Sequence, residues 1–440
     1  MFDYRVFVHV KKLVESAFFC SKGDNMSSKL FFGSRLAVSL GDQFLLFVVP
    51  IMVFQITQSI AWSSLAFALE TIPRVVFNPF AGIIGDRYSP LKVVKISLWL
   101  RSMFCVAAIF FSWLLGEGAL LSIIVLLSAL VGLASTQGFI STEVLLPKAF
   151  KKTPFARIQA WVQSVDQLSI ICGPLLAAVV LQYFSWQSVI IVACSLFAIG
   201  QLLFALSSIR IKDDDNTLAT DVAGVPANNQ SVIQQLRRSL GLLLGNKVLL
   251  GVVGQTALVN LVFGAVMATA AAFVTGKFAM LATSYGLLQM MGALTSIAVL
   301  SLTALFVNKL ALRSIGYISF SCICFGGALY ALGDNYWLFF IGFMIVLGFD
   351  GMFNVYIRTT RQAIIAPADY GKITGVIIFF NNSTKPVAGL LIGAFSGLLS
   401  AETVIVALVL CCAVLGTLLF TLAVRGNEGI SGQWKVGSRK

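Results

Sequence analysis

Three observations predict an all-α membrane protein with twelve transmembrane helices in two six-helix bundles. Of the 440 residues, 58% are hydrophobic and only 11% charged, whereas soluble domains carry about 25% charged residues. Apolar runs of about 20 residues, each able to cross a ~30 Å hydrocarbon core as a helix, recur twelve times along the chain. One long polar stretch, "KDDDNTLATDVAGVPANNQSVIQQLRR" (212–238), divides them six and six and has the composition of a linker.

The runs fall at 30–54, 60–83, 93–115, 119–145, 158–183, 187–210, 248–275, 281–306, 312–332, 336–357, 373–398 and 401–424. The expected organisation is an N-terminal segment 1–29, a bundle 30–210, a linker 211–247, a second bundle 248–424 and a tail 425–440. Phe2, Val6, Leu13 and Ala17 would give segment 1–29 an amphipathic helix on the inner leaflet; the alternative is that translation starts at Met26. Lysines and arginines crowd the even-to-odd turns: Arg87, Lys92 and Lys95; Lys148, Lys151 and Lys152; Arg210, Arg237 and Arg238; Arg358, Arg361 and Lys372. The opposite turns offer Lys277 and little else. Positive-inside bias therefore predicts a multi-pass protein with both termini cytoplasmic.

That distribution also explains the formal charge of +13 and removes the reason to expect nucleic acid as a partner. Seven of the eight cysteines lie in apolar runs without CxxC spacing, and the single histidine, His9, precedes the first span. Neither a disulfide framework nor a metal site is indicated. No phosphate-binding loop argues for an ATP-driven pump, and no nucleophile, base and orienting group recur together. The chain reads as a non-enzyme without cofactor, a monomer whose partners are a small-molecule substrate, protons and the lipid bilayer.

The two halves carry a faint repeat. A shift of 215 aligns "RIQAWVQSVDQLSIICGPLLAA" (157–178) with "KITGVIIFFNNSTKPVAGLLIG" (372–393), setting Asp166 against Asn381. A shift of 213 sets Gly41-Asp42 against Gly254-Gln255. Spans 1 and 7, and spans 5 and 11, read as copies, as in many transporters.

Between spans 2 and 3, "GIIGDRYSPLKVVK" (82–95) supplies Gly82, Gly85, Asp86, Arg87 and Lys92. Here the chain resembles the major facilitator superfamily, whose motif in this turn is G-x-x-x-D-R-x-x-x-R/K. The resemblance implies that Asp86 and Arg87 latch one conformational state, although Ser89-Pro90 replaces the usual glycine. Gly173-Pro174 in span 5 matches the Gly-Pro pair of exporters in that superfamily, followed by Ala177-Ala178 rather than glycines. With "LGDQF" (40–44), "TQS" (57–59) and "ETIPR" (70–74), the pattern looks most like bacterial drug and siderophore exporters of the enterobactin exporter and macrolide efflux type. The span-4 arginine of many proton-coupled exporters would fall near Ala134, so coupling is not inherited from that motif.

Ionisable groups inside spans cost about 3 kcal/mol upward, so each should face a cavity or a partner. Asp42 is the first candidate for proton exchange, assisted by Glu70 or Asp166; the bland alternative is a hydrogen-bonded structural carboxylate. Glu70 and Arg74 sit at i, i+4 and can pair along one face. Gln163, Asp166 and Gln167 form a polar stripe on span 5, answered on span 11 by Thr374, Asn381, Asn382 and Lys385. Lys385 either pairs with Asp350 on span 10 or lines a substrate cavity that favours an anionic ligand. The substrate-binding candidates are thus Gln163, Asp166, Asn381, Asn382, Lys385 and Asp350. Pro386 would free a carbonyl one turn earlier and flex the helix.

The expected function is proton-coupled export of a small organic solute by alternating access. The alternatives are an importer or lysophospholipid translocator of the same superfamily and, in another class, a non-transporting membrane receptor or scaffold.

Overall fold

The computed structural model describes residues 26–150, 155–207, 241, 244–306, 310–365 and 370–426. The long helices are α1 (Met26–Thr57), α2 (Ile60–Arg87), α3 (Pro90–Leu115), α4 (Leu120–Ala149), α5 (Phe155–Tyr183) and α6 (Trp186–Leu206), then α7 (Lys247–Ala272), α8 (Ala282–Phe306), α9 (Leu312–Leu332), α10 (Tyr336–Ile364), α11 (Tyr370–Phe395) and α12 (Ala401–Gly426). Among the described residues twelve helices are long and apolar enough to cross a membrane, and the protein is a multi-pass, all-α membrane protein. The amphipathic helix expected before residue 26 and the linker 212–238 lie outside the described residues.

The helices begin and end where local chemistry dictates. The Asn246 side chain accepts from the Leu249 N–H at 3.0 Å and Asn335 from Leu338 at 2.9 Å, capping α7 and α10. Pro90 stands in the first turn of α3, where its missing N–H leaves no bond unmade, and Gly116 ends that helix with φ at +70°. Pro50, Pro174 and Pro386 lie inside α1, α5 and α11. α7 runs on into a π-helical turn, Phe273–Lys277. The largest departure from the expected spans is α10, which continues to Ile364 rather than ending at 357. Its last turns are polar, yet the backbone ladder continues to the Ile365 N–H, which donates to the Arg361 carbonyl at 3.0 Å, because helical bonding does not require apolar side chains.

By packing, the chain forms two compact units: 1–52, 77–226 and 281–290 in the first; 53–76, 227–280 and 291–440 in the second. Each has one helix at its centre. The most apolar windows of α1 and α7 are 61% and 67% buried, against 22–50% for the other ten. In the first unit α1 touches α3, α4, α5 and α6 through side chains described below, and α3 packs on α4 and α6. In the second, α7 packs on α9, α10, α11 and α12.

The units differ from a simple cut between spans 6 and 7, because residues 53–76 of α2 join the second unit and 281–290 of α8 the first. Glycines are the reason. A Cβ on Gly389 of α11 would stand 2.7 Å from the Ser64 carbonyl, and one on Gly286 of α8 would stand 2.9 Å from the Pro174 carbonyl. Without side chains there, α2 lies directly on α11 and α8 on α5. The internal repeat is legible in the same way. A Cβ on Gly41 would strike Phe197 of α6, and its counterpart on Gly254 would strike Leu419 of α12.

Candidate functional site

In the first unit, the polar residues of α1 gather the ionisable groups of its neighbours. Asp42 accepts from Nη1 of Arg101 on α3 at 3.1 Å and from the Ser135 hydroxyl on α4 at 2.7 Å. Two turns earlier on α1, Arg35 meets Asp166 of α5 with two parallel bonds, Nε to Oδ1 at 3.0 Å and Nη2 to Oδ2 at 2.7 Å. Ser39, between them, donates to Asp166 at 3.2 Å. The Arg101 side chain is only 4% exposed and its guanidinium lies 5.8 Å from the Phe197 ring; that of Arg35 lies 5.5 Å from the Phe139 ring. Two acids and two arginines thus balance within apolar walls, as ionised groups at membrane depth require. A small cavity of about 80 Å³ touches Arg35, Ser39, Asp42, Arg101 and Ser135.

Local geometry explains why Arg101 reaches Asp42. A Cβ on Gly138 of α4 would fall 2.8 Å from Nη2 of Arg101 and against Ser97. The missing side chain is the space in which the guanidinium lies. Ser97 in turn donates to the Ala134 carbonyl at 2.6 Å, holding α3 against the stretch of α4 where the resemblance would place an arginine.

The second unit holds a larger cavity, about 520 Å³, between α7, α10 and α11. Its cations are Arg358, Arg361 and Lys385, its amides Asn260, Asn354, Asn381 and Asn382; Thr256, Ile357 and Ile378 complete it. No carboxylate lines it among the described residues. Lys385 stands about 22 Å along α11 from Tyr370, and its Nζ lies 4.8 Å from the centre of the Phe263 ring, a favourable cation–π position. A Cβ on Gly264 would be 2.5 Å from the Lys385 carbonyl, so α7 and α11 touch through backbone beside the lysine. The Asn260 Nδ2 donates to the Asn381 main-chain carbonyl at 3.0 Å, a second tie between the same helices.

The sequence-predicted residues separate accordingly. Asn381, Asn382 and Lys385 come together in the large cavity, and Asp42 stands beside the small one. Asp166 faces α1 and is engaged by Arg35, while Gln163 is exposed and lines neither cavity. Asp350 is absent from the cavity lining: its carboxylate accepts from Asn354 at 3.0 Å, no ion pair within 4.0 Å joins it to Lys385 among the described residues, and it attracts both Lys385 and Arg358 electrostatically at longer range. Glu70, 1% exposed, accepts from Arg74 at 3.1 Å, as the i, i+4 spacing predicts, and belongs to the second unit rather than to the unit of Asp42. Gly173 allows α5 to touch α1, since a Cβ there would be 2.5 Å from that of Gln43; Pro174 is buried beside it. Lys92 is exposed. Gly82, Gly85, Asp86 and Arg87 continue α2 as helix, but their side chains, like those of Thr374 and Lys372, lie outside the described residues.

Sequence reasoning missed Arg35 and Arg101 in the first unit and Asn260, Asn354, Arg358 and Arg361 in the second as site residues. The signal was present for the first two: Arg101 is an ionisable group inside span 3, and Arg35 precedes Asp42 by two helical turns.

Comparison with known proteins agrees with this architecture. The profile of the Major Facilitator Superfamily matches residues 31–385. An uncharacterized MFS-type transporter, y4rN, of Sinorhizobium fredii is 22% identical over 367 residues, covering 82% of this chain and 85% of its own length. Among solved structures, the nucleoside transporter NupG superposes with a TM-score of 0.72 at 15% identity over 91% of this chain and 99% of NupG. A bacterial homologue of the iron transporter ferroportin gives 0.65 at 17% identity over 90% of this chain and 100% of that one. At such identities these structures speak to the fold, a twelve-helix transporter fold, while the profile spans most of the chain. The chain belongs to the Major Facilitator Superfamily.

Proposed function

We propose that this transporter exports a small organic anion from the cytoplasm in exchange for protons, by alternating access. The observation that carries the reading is the 520 Å³ cavity of the second unit, where Arg358, Arg361 and Lys385 meet four asparagines and no lining carboxylate among the described residues. A cavity of that size falls within the range of about 300–1,000 Å³ usual for small-molecule sites, and on its wall Arg358 and Lys385 outnumber the Asp350 carboxylate that attracts them from behind Asn354, a balance that favours an anion.

Proton exchange is assigned to Asp42, with Asp166 or Glu70 assisting. Support comes from the first unit, where Asp42 and Asp166 each hold an arginine on a different helix. Charge balance couples the pieces: when a proton neutralises the carboxylate, the arginine loses its counterion and its hold on the neighbouring helix. The positive-inside pattern supports cytoplasmic termini, the resemblance to bacterial exporters supports an inner-membrane location, and the turn motif supports a latch at Asp86 and Arg87. Export and the drug or siderophore branch rest on the Gly173-Pro174 resemblance. A monomer is the working oligomeric state.

The test is comparative. Solutes inside and outside cells with and without the gene are measured, and the anion that changes is reconstituted with the purified protein. Loss from the cells containing the gene supports export, accumulation in them means import, and no gene-dependent change in any anion contradicts the proposal.

A further inference from the structure

The cavity of the second unit is chemically unlike a drug pocket. Only Ile357 and Ile378 among its ten lining residues are apolar, whereas small-molecule sites are usually lined mainly by hydrophobic and aromatic side chains.

Its amides are also oriented by their own bonds. Asn260 spends its NH₂ on the Asn381 main-chain carbonyl, and Asn354 spends its NH₂ on the Asp350 carboxylate and carbonyl, each at 3.0 Å. Neither amide oxygen accepts a hydrogen bond among the described residues, so both are available as acceptors on residues that line the cavity. Asn381, 4% exposed, keeps an Oδ1 without a hydrogen-bond partner among the described residues. Buried amide oxygens ask for donors. Arg358 of α10 and Lys385 of α11 are both attracted by Asp350, the acid behind Asn354, but two cations to one acid leave net positive charge on the wall; that charge draws an anion and repels ammonium groups, so the donors that suit the site are neutral hydroxyls.

Resting on the transport reading above, we infer that the solute is a hydroxyl-rich oxyanion, a small polyhydroxylated molecule bearing a carboxylate or phosphate. Arg358 and Lys385 take the oxyanion and the oxygens of Asn260, Asn354 and Asn381 take hydroxyls. Lys385 rests on the Phe263 ring and swings from it to the anion when the solute enters.

The experiment is direct binding to the purified full-length protein by calorimetry, with gluconate, glucose 6-phosphate, glucose and benzoate as probes. Gluconate or glucose 6-phosphate binds at least about tenfold more tightly than both glucose and benzoate, and the better of the two identifies the head group as carboxylate or phosphate. Arg358→Gln and Lys385→Gln each weaken that probe about tenfold or more; Arg358 is exposed, so its variant folds. Benzoate or glucose binding as tightly as the hydroxylated anions overturns the inference, as does binding of none of the four. Flux separates the two claims. A bound hydroxylated anion that the reconstituted protein fails to carry contradicts the transport reading alone, and carriage of benzoate in preference to gluconate and glucose 6-phosphate contradicts this inference alone.

Discussion

Arg35 of α1 and Asp166 of α5, 131 residues apart in the chain, are joined by two hydrogen bonds of 3.0 and 2.7 Å, and Arg35 is only 10% exposed. This is the geometry in which an arginine fork and a carboxylate fit best. Removing one partner strands the other charge at membrane depth. Asp166 is 25% exposed and keeps its bond from Ser39, so Arg35→Ala should destabilise the protein by about 1–3 kcal/mol, read as a lower unfolding midpoint in detergent. The double variant Arg35→Ala, Asp166→Asn should recover most of that loss. Arg35→Lys, which keeps the charge but not the fork, should fall between.

Gly138 predicts a second effect through the same unit. A methyl group there strikes the short Ser97 side chain and lies 2.8 Å from Nη2 of Arg101, so the guanidinium must shift away; such overpacking costs about 1–3 kcal/mol. Gly138→Ala should reproduce the coupling defect of Arg101→Gln although residue 138 carries no charge in either form. Solute-driven proton movement in liposomes is the measurement, with solute counterflow, which needs no net proton transfer, as its control.

At the edge of the large cavity, Gly264 lies against the backbone of Lys385. Backbone cannot step aside as a flexible side chain can. Gly264→Ala should push α11 from α7, lower the unfolding midpoint by an amount equivalent to about 1–3 kcal/mol, and weaken solute binding more than Gly254→Ala, which would meet only the end of Leu419.

The pair between Lys277, after α7, and Glu402, in the first turn of α12, offers a contrast. Its atoms are 3.1 Å apart, but the side chains are 25% and 29% exposed. Partly wet pairs contribute at most about 1 kcal/mol. Glu402→Gln should shift the unfolding midpoint far less than Arg35→Ala.

The sequence makes the fold legible because membrane helices announce themselves by apolar length, and all twelve lie where the runs do. The end of α10 escaped because backbone bonds, here Ile365 N–H to the Arg361 carbonyl, carry a helix past its apolar segment. Pairings within one helix follow from spacing, so Glu70–Arg74 could be read directly. Pairings between helices do not: Asp42–Arg101 spans 59 residues and depends on a gap at Gly138 that no local pattern reveals. The stripe of span 5 was read as cavity wall, yet Asp166 turns to Arg35 and leaves Gln163 exposed. For Lys385 depth alone leaves two partners open; the structure sets it on Phe263 and in the cavity, with Asp350, bonded to Asn354, attracting it electrostatically without a direct ion pair among the described residues.

The central claim, transport of an anion coupled to protons through Asp42, is tested most directly in liposomes containing the purified protein and a pH-sensitive dye. A gradient of the solute identified in cells should drive proton movement with the wild-type protein. It should drive none with Asp42→Asn, while solute counterflow persists in both. Proton movement that is unchanged in Asp42→Asn would contradict the account.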